Sequence, residues 1–274
     1  MTPHSARSST GPAGAALTWV GHATVLIELD GVRILTDPAL RERMGFLART
    51  APPVSPEVCE DIDAVVLSHL HADHVDLRSL RRLGSATPVF APRGAGAWLA
   101  RRGLRAVHEL ERGEAARVGG VRIRATRAVH GGSRYPFGAS SDPMGVLVEG
   151  SRTVYFAGDT DLFPEMEGMA ASIDAALLPI WGWGSRVGPG HLDPARAAEA
   201  AARLSPRLTI PIHWGTFAPT WAARRARDSR APAREFGELM ARTAPGSQVR
   251  VLDPGERVEL PRVPIVEDVG GTPR

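Results

Sequence analysis

The chain has 274 residues, 43% hydrophobic and 23% charged, the balance of a soluble globular protein that can bury a sizeable core. It contains no apolar run near the roughly 20 residues that span a bilayer, and no apolar N-terminal stretch of the secretory kind, so a cytoplasmic location is expected. A single cysteine, Cys59, rules out intrachain disulfides and thiolate metal clusters, and the net charge of +3 rests on 33 basic residues that are all arginine, a bias of the whole chain rather than a phosphate-binding patch.

Residues 1–15 read as a disordered arm, 16–261 as one folded domain and 262–274 as a loose tail. Short β-branched strands open the domain: ALTWV (16–20), TVLIEL (24–29) and VRILTD (32–37), with Asp30-Gly31 set for a tight hairpin. A proline-rich irregular stretch follows and carries Cys59, which has no basic neighbourhood to make its thiol reactive. AVVLS (64–68) is continuously apolar and reads as a buried strand. Alternating units come next: helix DLRSLRRLG, strand PVFAP, helix AGAWLARRG and strand AVHEL, with Gly84 and Gly103 at the positions of helix C-caps. Strands return in VRIRATRAVH, GVLVEG, TVYFAGD and AALLPI. Asp193 and Pro194 start a helix through Leu204, LTIPIHW is a strand, AREFGELMART a helix, and QVRVLD and RVEL close the domain. Strands followed by helices, twice over, predict an α/β fold of four layers, an αββα sandwich, rather than a doubly wound parallel sheet. No glycine-rich nucleotide loop joins a strand to a helix.

Ionisable residues gather just beyond the apolar strands. HLHADH supplies His69, His71, Asp73 and His74 after AVVLS; His130 follows TRAV, Asp159 follows YFAG and His213 follows TIPI. Each alone reads as a polar edge residue, but strand ends converge on one edge of a sheet, where ligand sites form. Seven nitrogen and carboxylate donors without sulfur suit two divalent cations: zinc by default, with manganese or iron also compatible. His69 and His71 flank one residue and aim the same way in an extended segment, whereas Asp73 and His74 follow in a turn.

The HLHADH run fits the HxHxDH signature of the metallo-β-lactamase fold superfamily. TWVGHATVLIELDGVRILTDP, LSHLHADHVD, GDTDLF, GHLDPARAAEA and IHWGTF resemble its N-acyl-phosphatidylethanolamine phospholipase D-like branch, which neighbours ascorbate phosphate lactonase. The resemblance covers residues 16–261. It implies that His69, His71 and His130 hold one metal, that Asp73, His74 and His213 hold the other, and that Asp159 bridges them. It also implies that Asp37 supports a ligand histidine, against the alternative of an Asp-Pro turn cap, and that His191 lies near the reacting groups, against a plain loop residue before a helix. His22 reads as a supporting or core histidine; His4 and His108 read as ordinary.

The expected activity is that of a dinuclear metal-dependent hydrolase using a metal-bound hydroxide, with Asp73 taking or orienting the water's proton and His191 donating to the leaving group. A phosphodiester is the first expectation, and a lactone or other ester the alternative. A nuclease of this fold would carry a nucleic-acid-binding insertion that is not visible in the sequence, a redox di-iron protein would replace histidines by carboxylates and add a flavin domain, and a non-catalytic protein with a relict site is the remaining rival. The substrate is expected to be a small molecule or a lipid, with no nucleic-acid partner. Segment 41–50, with Trp181 and Trp183, reads either as the lip of an apolar entrance or as ordinary loop packing, and no amphipathic helix marks a membrane contact. The run Trp221 to Arg234 reads as a solvated helix face, with contact to an anionic surface as the alternative.

Overall fold

Asp30 and Gly31 both take positive φ, +52° and +79°, so the tight hairpin forms where the dipeptide places it and sets Leu29 opposite Val32. The computed structural model describes residues 14–134, 138–182, 187–221 and 229–261. Its first elements are β1 (Ala15–Gly21), β2 (Thr24–Leu29) and β3 (Val32–Thr36), followed by two very short strands, β4 (Arg43–Met44) and β5 (Leu47–Arg49). Then come β6 (Ala64–Val66), α1 (Leu77–Leu83), β7 (Val89–Pro92), α2 (Gly96–Ala100), β8 (Val107–Leu110), β9 (Ala115–Val118) and β10 (Val121–Arg127). The remainder is β11 (Met144–Glu149), β12 (Thr153–Phe156), β13 (Ala175–Pro179), α3 (Pro194–Leu204), β14 (Leu208–Ile212), β15 (Phe217–Pro219), α4 (Ala231–Thr243), β16 (Gln248–Val249) and β17 (Arg257–Leu260).

Two seven-stranded sheets result, β17-β1-β2-β3-β6-β7-β8 and β16-β14-β13-β12-β11-β10-β9. Strand periodicity decides which residues fill which layer. In β6, Ala64 and Val66 enter the core between the sheets, whereas Val65 and the following Leu67 face outward, against Leu80, Trp98 and Leu99 under α1 and α2. Leu17, Trp19, Val25 and Ile27 meet Ile123, Val146, Phe156 and Leu177 in the inter-sheet core. Each such fully buried side chain stabilises the fold by roughly 1.5–3 kcal/mol. The alanine-rich face of α3 and Phe236 and Met240 of α4 close over the second sheet, giving the four αββα layers.

Most caps are where the residues place them, but Gly103 lies two residues beyond the α2 C-cap, Arg101, because that helix stops at Ala100. Asp76 accepts from Ser79 N–H at the start of α1, Gly84 ends that helix at φ +104°, and Asp193 accepts from Arg196 N–H with Pro194 in the first turn of α3. Some boundaries differ from expectation. β1 begins at Ala15, inside the segment assigned to the arm, because Ala15 pairs with Leu260. The helix expected over AGAWLARRG is only five residues long, and QVRVLD contributes two strand residues. A third sheet, β15-β5-β4, was not expected. Cys59 ends a short 3-10 turn, half-buried, and burial raises its thiol pKa, which suits an inert side chain. Residues 1–13 and 262–274, and most of the run after Trp221, lie outside the described residues. Among the described residues no helix is long and apolar enough to cross a membrane.

Candidate metal centre

The strands of both sheets end on one rim, and the ionisable residues beyond them meet there. Asp37 follows β3 and the HLHADH turn follows β6 in the first sheet; His130, Asp159 and His213 follow β10, β12 and β14 in the second. Asp159 reaches the rim on a turn that needs Gly158, which sits at φ +60° and whose absent Cβ would collide with the Ser68 side chain.

The donors form two sets. His69, His71 and His130 bring their ligand atoms within 4.8 Å of one another, with His71 Nδ1 3.1 Å from His130 Nε2. Asp73, His74 and His213 form the second set, with His22 beside them inside the same 4.8 Å: His74 Nε2 and His213 Nε2 are 3.2 Å apart, and Asp73 Oδ2 is 3.8 Å from each. Asp159 lies between the sets. Its Oδ2 is 3.2 Å from His74 Nε2 and 4.0 Å from His130 Nε2, and its Oδ1 is 3.5 Å from His213 Nε2. His191, 28% exposed, borders the cluster with Nε2 3.7 Å from Asp159 Oδ2 and its ring edge-on to His130.

Hydrogen bonds at the far ring nitrogens fix these imidazoles. The carbonyl of Gly190 is 2.7 Å from His130 Nδ1, the carbonyl of Trp181 is 2.7 Å from His213 Nδ1, and Asp37 Oδ2 is 2.7 Å from His74 Nδ1. Those acceptors favour the proton on Nδ1, which turns the Nε2 lone pair toward the cluster; at His74, against burial, Asp159 and Asp73 raise the pKa well above its ordinary value, so a cation there would displace a proton from Nε2. Asp37 is fully buried and also accepts from Ser68 N–H at 2.8 Å and Ser68 O–H at 2.5 Å, while Ser68 Oγ meets His69 Nδ1 at 2.9 Å. One carboxylate therefore orients His74 directly and His69 through a hydroxyl, a histidine in each set.

The donor set fits cations. Nε2–Nε2 and Nδ1–Nε2 approaches near 3 Å turn lone pairs toward each other, which a cation between them would favour. His69 Nε2 and Asp159 Oδ1 are buried and accept or donate no hydrogen bond. Such buried polar atoms cost free energy unless satisfied. Burial, with the neighbouring His74, holds the His69 pKa well below its ordinary value, and burial lowers His130 to about 4, so both are neutral donors at pH 7. Burial opposes ionisation of Asp73 and Asp159, yet the surrounding imidazoles hold both carboxyls well below the usual carboxylate range. Asp37 has the opposite balance: burial raises its pKa against the donors from His74 and Ser68.

Several contacts were not legible beforehand. His22, in the β1–β2 turn, brings Nε2 to 3.3 Å from Asp73 Oδ2. Arg134 lies over the Trp98 ring and donates from Nη1 to the carbonyls of Leu70 (2.8 Å), Val75 (3.2 Å) and His71 (3.4 Å), clasping the HLHADH turn. Trp181 is half-buried and packs against the inter-sheet core, Phe46 at the β4–β5 turn is 60% exposed, and Trp183 lies outside the described residues. His108 stacks on Phe90, away from the cluster.

Comparison with known proteins places this geometry in context. Residues 32–214 match the family model described as the beta-lactamase superfamily domain. A Rubrobacter xylanophilus protein named as a UPF0173 metal-dependent hydrolase is 33% identical over 258 residues, covering 89% of this chain and 96% of its own. N-acyl-phosphatidylethanolamine-hydrolyzing phospholipase D 1 of Caenorhabditis elegans is 32% identical over 234 residues, 74% of this chain, and the chain spans 65% of that enzyme's length. Among solved structures, the metallo hydrolase Igni18 of Ignicoccus hospitalis is similar, with a TM-score of 0.67 at 29% identity, covering 89% of this chain and 97% of that one.

Proposed function

Because the chain belongs to the beta-lactamase superfamily, we propose that it is a metal-dependent hydrolase with a two-cation centre, acting first on phosphodiesters and alternatively on lactones or other esters. The observation that carries this reading is the clustering of His69, His71 and His130 on one side and Asp73, His74 and His213, with His22, on the other, the Asp159 carboxylate lying between them. His69, His71 and His130 would hold one ion, and Asp73, His74 and His213 the other, with Asp159 shared. Nitrogen and oxygen donors without sulfur suit zinc, and manganese or iron would also be accepted. When bound, two such ions supply Lewis acidity to the substrate oxygen and lower the pKa of a shared water.

The protein's own groups supply the rest. Asp73 combines a position beside His74 and His213 with 16% exposure, so its carboxylate can accept a hydrogen bond from an incoming water and orient it. His191 stands at the exposed side of Asp159, where its Nε2 can donate to a departing alkoxide. Asp37, Gly190 and Trp181 hold the ligand imidazoles in one tautomer, so that no reorientation is needed when substrate arrives. The identity to the phospholipase D supports a small or lipid phosphodiester as substrate.

Replacing Asp159 by Ala is expected to abolish metal retention and turnover together. The screen that tests the reading pairs metal quantification with bis-aryl phosphates, glycerophospholipids and lactones. Phosphodiester turnover supports the first assignment and lactone turnover the alternative. A fully loaded protein inert toward all three, or an Asp159→Ala variant with unchanged metal and activity, refutes it.

A further inference from the structure

His22 is built into the fold more firmly than a turn residue requires. It occupies the left-handed region at φ +52°, a conformation that costs a non-glycine residue of order 1–3 kcal/mol and persists only where its surroundings over-determine it. Its N–H donates to Thr216 Oγ1 at 2.7 Å, and its carbonyl accepts from Trp19 Nε1 and from His213 N–H, each at 2.9 Å. The residue before it, Gly21, can carry no side chain, because a Cβ there would lie 2.6 Å from Thr216 Cγ2. The ring is held in the same way: its centroid is 4.0 Å from that of His213, and the Phe217 ring stands edge-on at 5.8 Å. All this aims one atom, Nε2, at Asp73 Oδ2, 3.3 Å away.

We propose that His22 is a positioning residue, whose Nε2–H fixes the Asp73 carboxylate toward His74 and His213. The inference rests on the two-cation reading above. Asp73 sits in a turn and is the one donor of its set with appreciable exposure, so its carboxylate has the most rotational freedom to lose. The same oxygen, Oδ2, lies 3.8 Å from His74 Nε2 and from His213 Nε2, so a donor on it fixes the oxygen that faces the shared space. The backbone link is equally direct, since the His22 carbonyl takes the His213 N–H and ties the turn to a second member of the set. His22 therefore holds two of the three donors, one through its ring and one through its main chain.

The test compares His22→Phe, which keeps ring volume and removes the donor, with His22→Gln, whose amide can present N–H near the Nε2 position. The metal-free forms are titrated with Zn²⁺ by calorimetry and with Co²⁺ by visible absorption, and their melting temperatures are measured without metal. For His22→Phe the affinity for one of the two ions is expected to fall about 10–100-fold, the other being unchanged, and His22→Gln to restore it to within about threefold. A Co²⁺ spectrum that His22→Gln leaves unchanged is also expected, because a positioning role, unlike coordination, keeps His22 off the ion, although its ligand atom lies within 4.8 Å of those of Asp73, His74 and His213. Two ions bound with wild-type affinity by His22→Phe would overturn the proposal. So would a His22→Gln variant as defective as His22→Phe, or one with displaced Co²⁺ bands, which would make His22 a ligand. If His22→Phe does not fold, the ¹⁵N-labelled histidines of the wild-type protein serve: the His22 Nε2–H resonance must shift in Asp73→Ala, and an unmoved resonance refutes the contact. A wild-type protein that takes up fewer than two ions instead defeats the underlying two-cation reading.

Discussion

Asp37→Asn separates charge and tautomer from shape. The carboxylate accepts three hydrogen bonds, from Ser68 N–H, Ser68 O–H and His74 Nδ1–H, at 2.8, 2.5 and 2.7 Å. An amide keeps the volume but offers only one acceptor oxygen. With that oxygen on Ser68 N–H, the NH₂ group falls where Oδ2 was, facing the Ser68 hydroxyl and His74 Nδ1. The hydroxyl can turn round. The imidazole must move its proton to Nε2, the atom 3.2 Å from both His213 Nε2 and Asp159 Oδ2, and a protonated Nε2 has no lone pair for a cation. Loss of one charge-assisted bond is expected to cost the metal-free fold about 1.5–3 kcal/mol. Metal affinity is expected to fall about 10–100-fold, as for other lost partners of ligand imidazoles. Retained metal after dialysis, calorimetric titration and the metal-free melting curve read these separately. Ser68→Ala is the companion, since it cuts the relay to His69 and keeps the Asp37 bond to His74, so that on the proposed two-cation reading one ion alone should weaken. An Asp37→Asn protein that holds metal as tightly as wild type would refute the tautomer assigned to His74.

Other outcomes follow from the same geometry. Gly158→Ala forces a left-handed backbone on alanine and drives its Cβ into Ser68, at an expected cost of about 2–5 kcal/mol in urea unfolding with loss of metal through displaced Asp159; a variant within experimental error of wild type would contradict the packing. Asp76→Ala removes the α1 cap and the paired bonds to Arg41 Nε and Nη2 (2.7 and 2.9 Å), costing about 2–3 kcal/mol near neutral pH. Although burial opposes it, Arg41 and Ser79 hold the Asp76 pKa below its unfolded value, so this stabilisation is complete above the ordinary aspartate range and is lost as pH falls through the lower folded value. The stability gap between wild type and Asp76→Ala must therefore close on acidification, and a gap that widened instead would reverse the sign argued here.

The layers and the clustering of the seven candidate residues were legible because their signals are dense. Continuous apolar runs such as AVVLS end in charge, and three histidines within six residues have few structural uses. Caps at Asp76, Asp193 and Gly84 likewise follow from side-chain chemistry alone. What escaped has no such mark. The Gly190 and Trp181 carbonyls that orient His130 and His213 are main-chain groups that any residue carries. Arg134 is one arginine among 33, and its reach over Trp98 to three carbonyls depends on long-range packing. The positive φ of His22 is invisible in a sequence, and strands of two or three residues, as in β15-β5-β4, are too short for alternation to register.

The pairing of β17 with β1 has a consequence for how the chain is made. β1 is apolar and wholly buried, and one of its two neighbours, aligned as Ala15 to Leu260, is the last strand to leave the ribosome among those described. Until then its free edge of N–H and C=O groups is open to any passing strand. Contacts of such sequence separation also slow folding. Premature termination just before Arg257 would thus yield a nearly whole sandwich with a bare apolar edge. Recruitment into β-rich aggregates, rather than simple loss of activity, is the failure expected of such fragments.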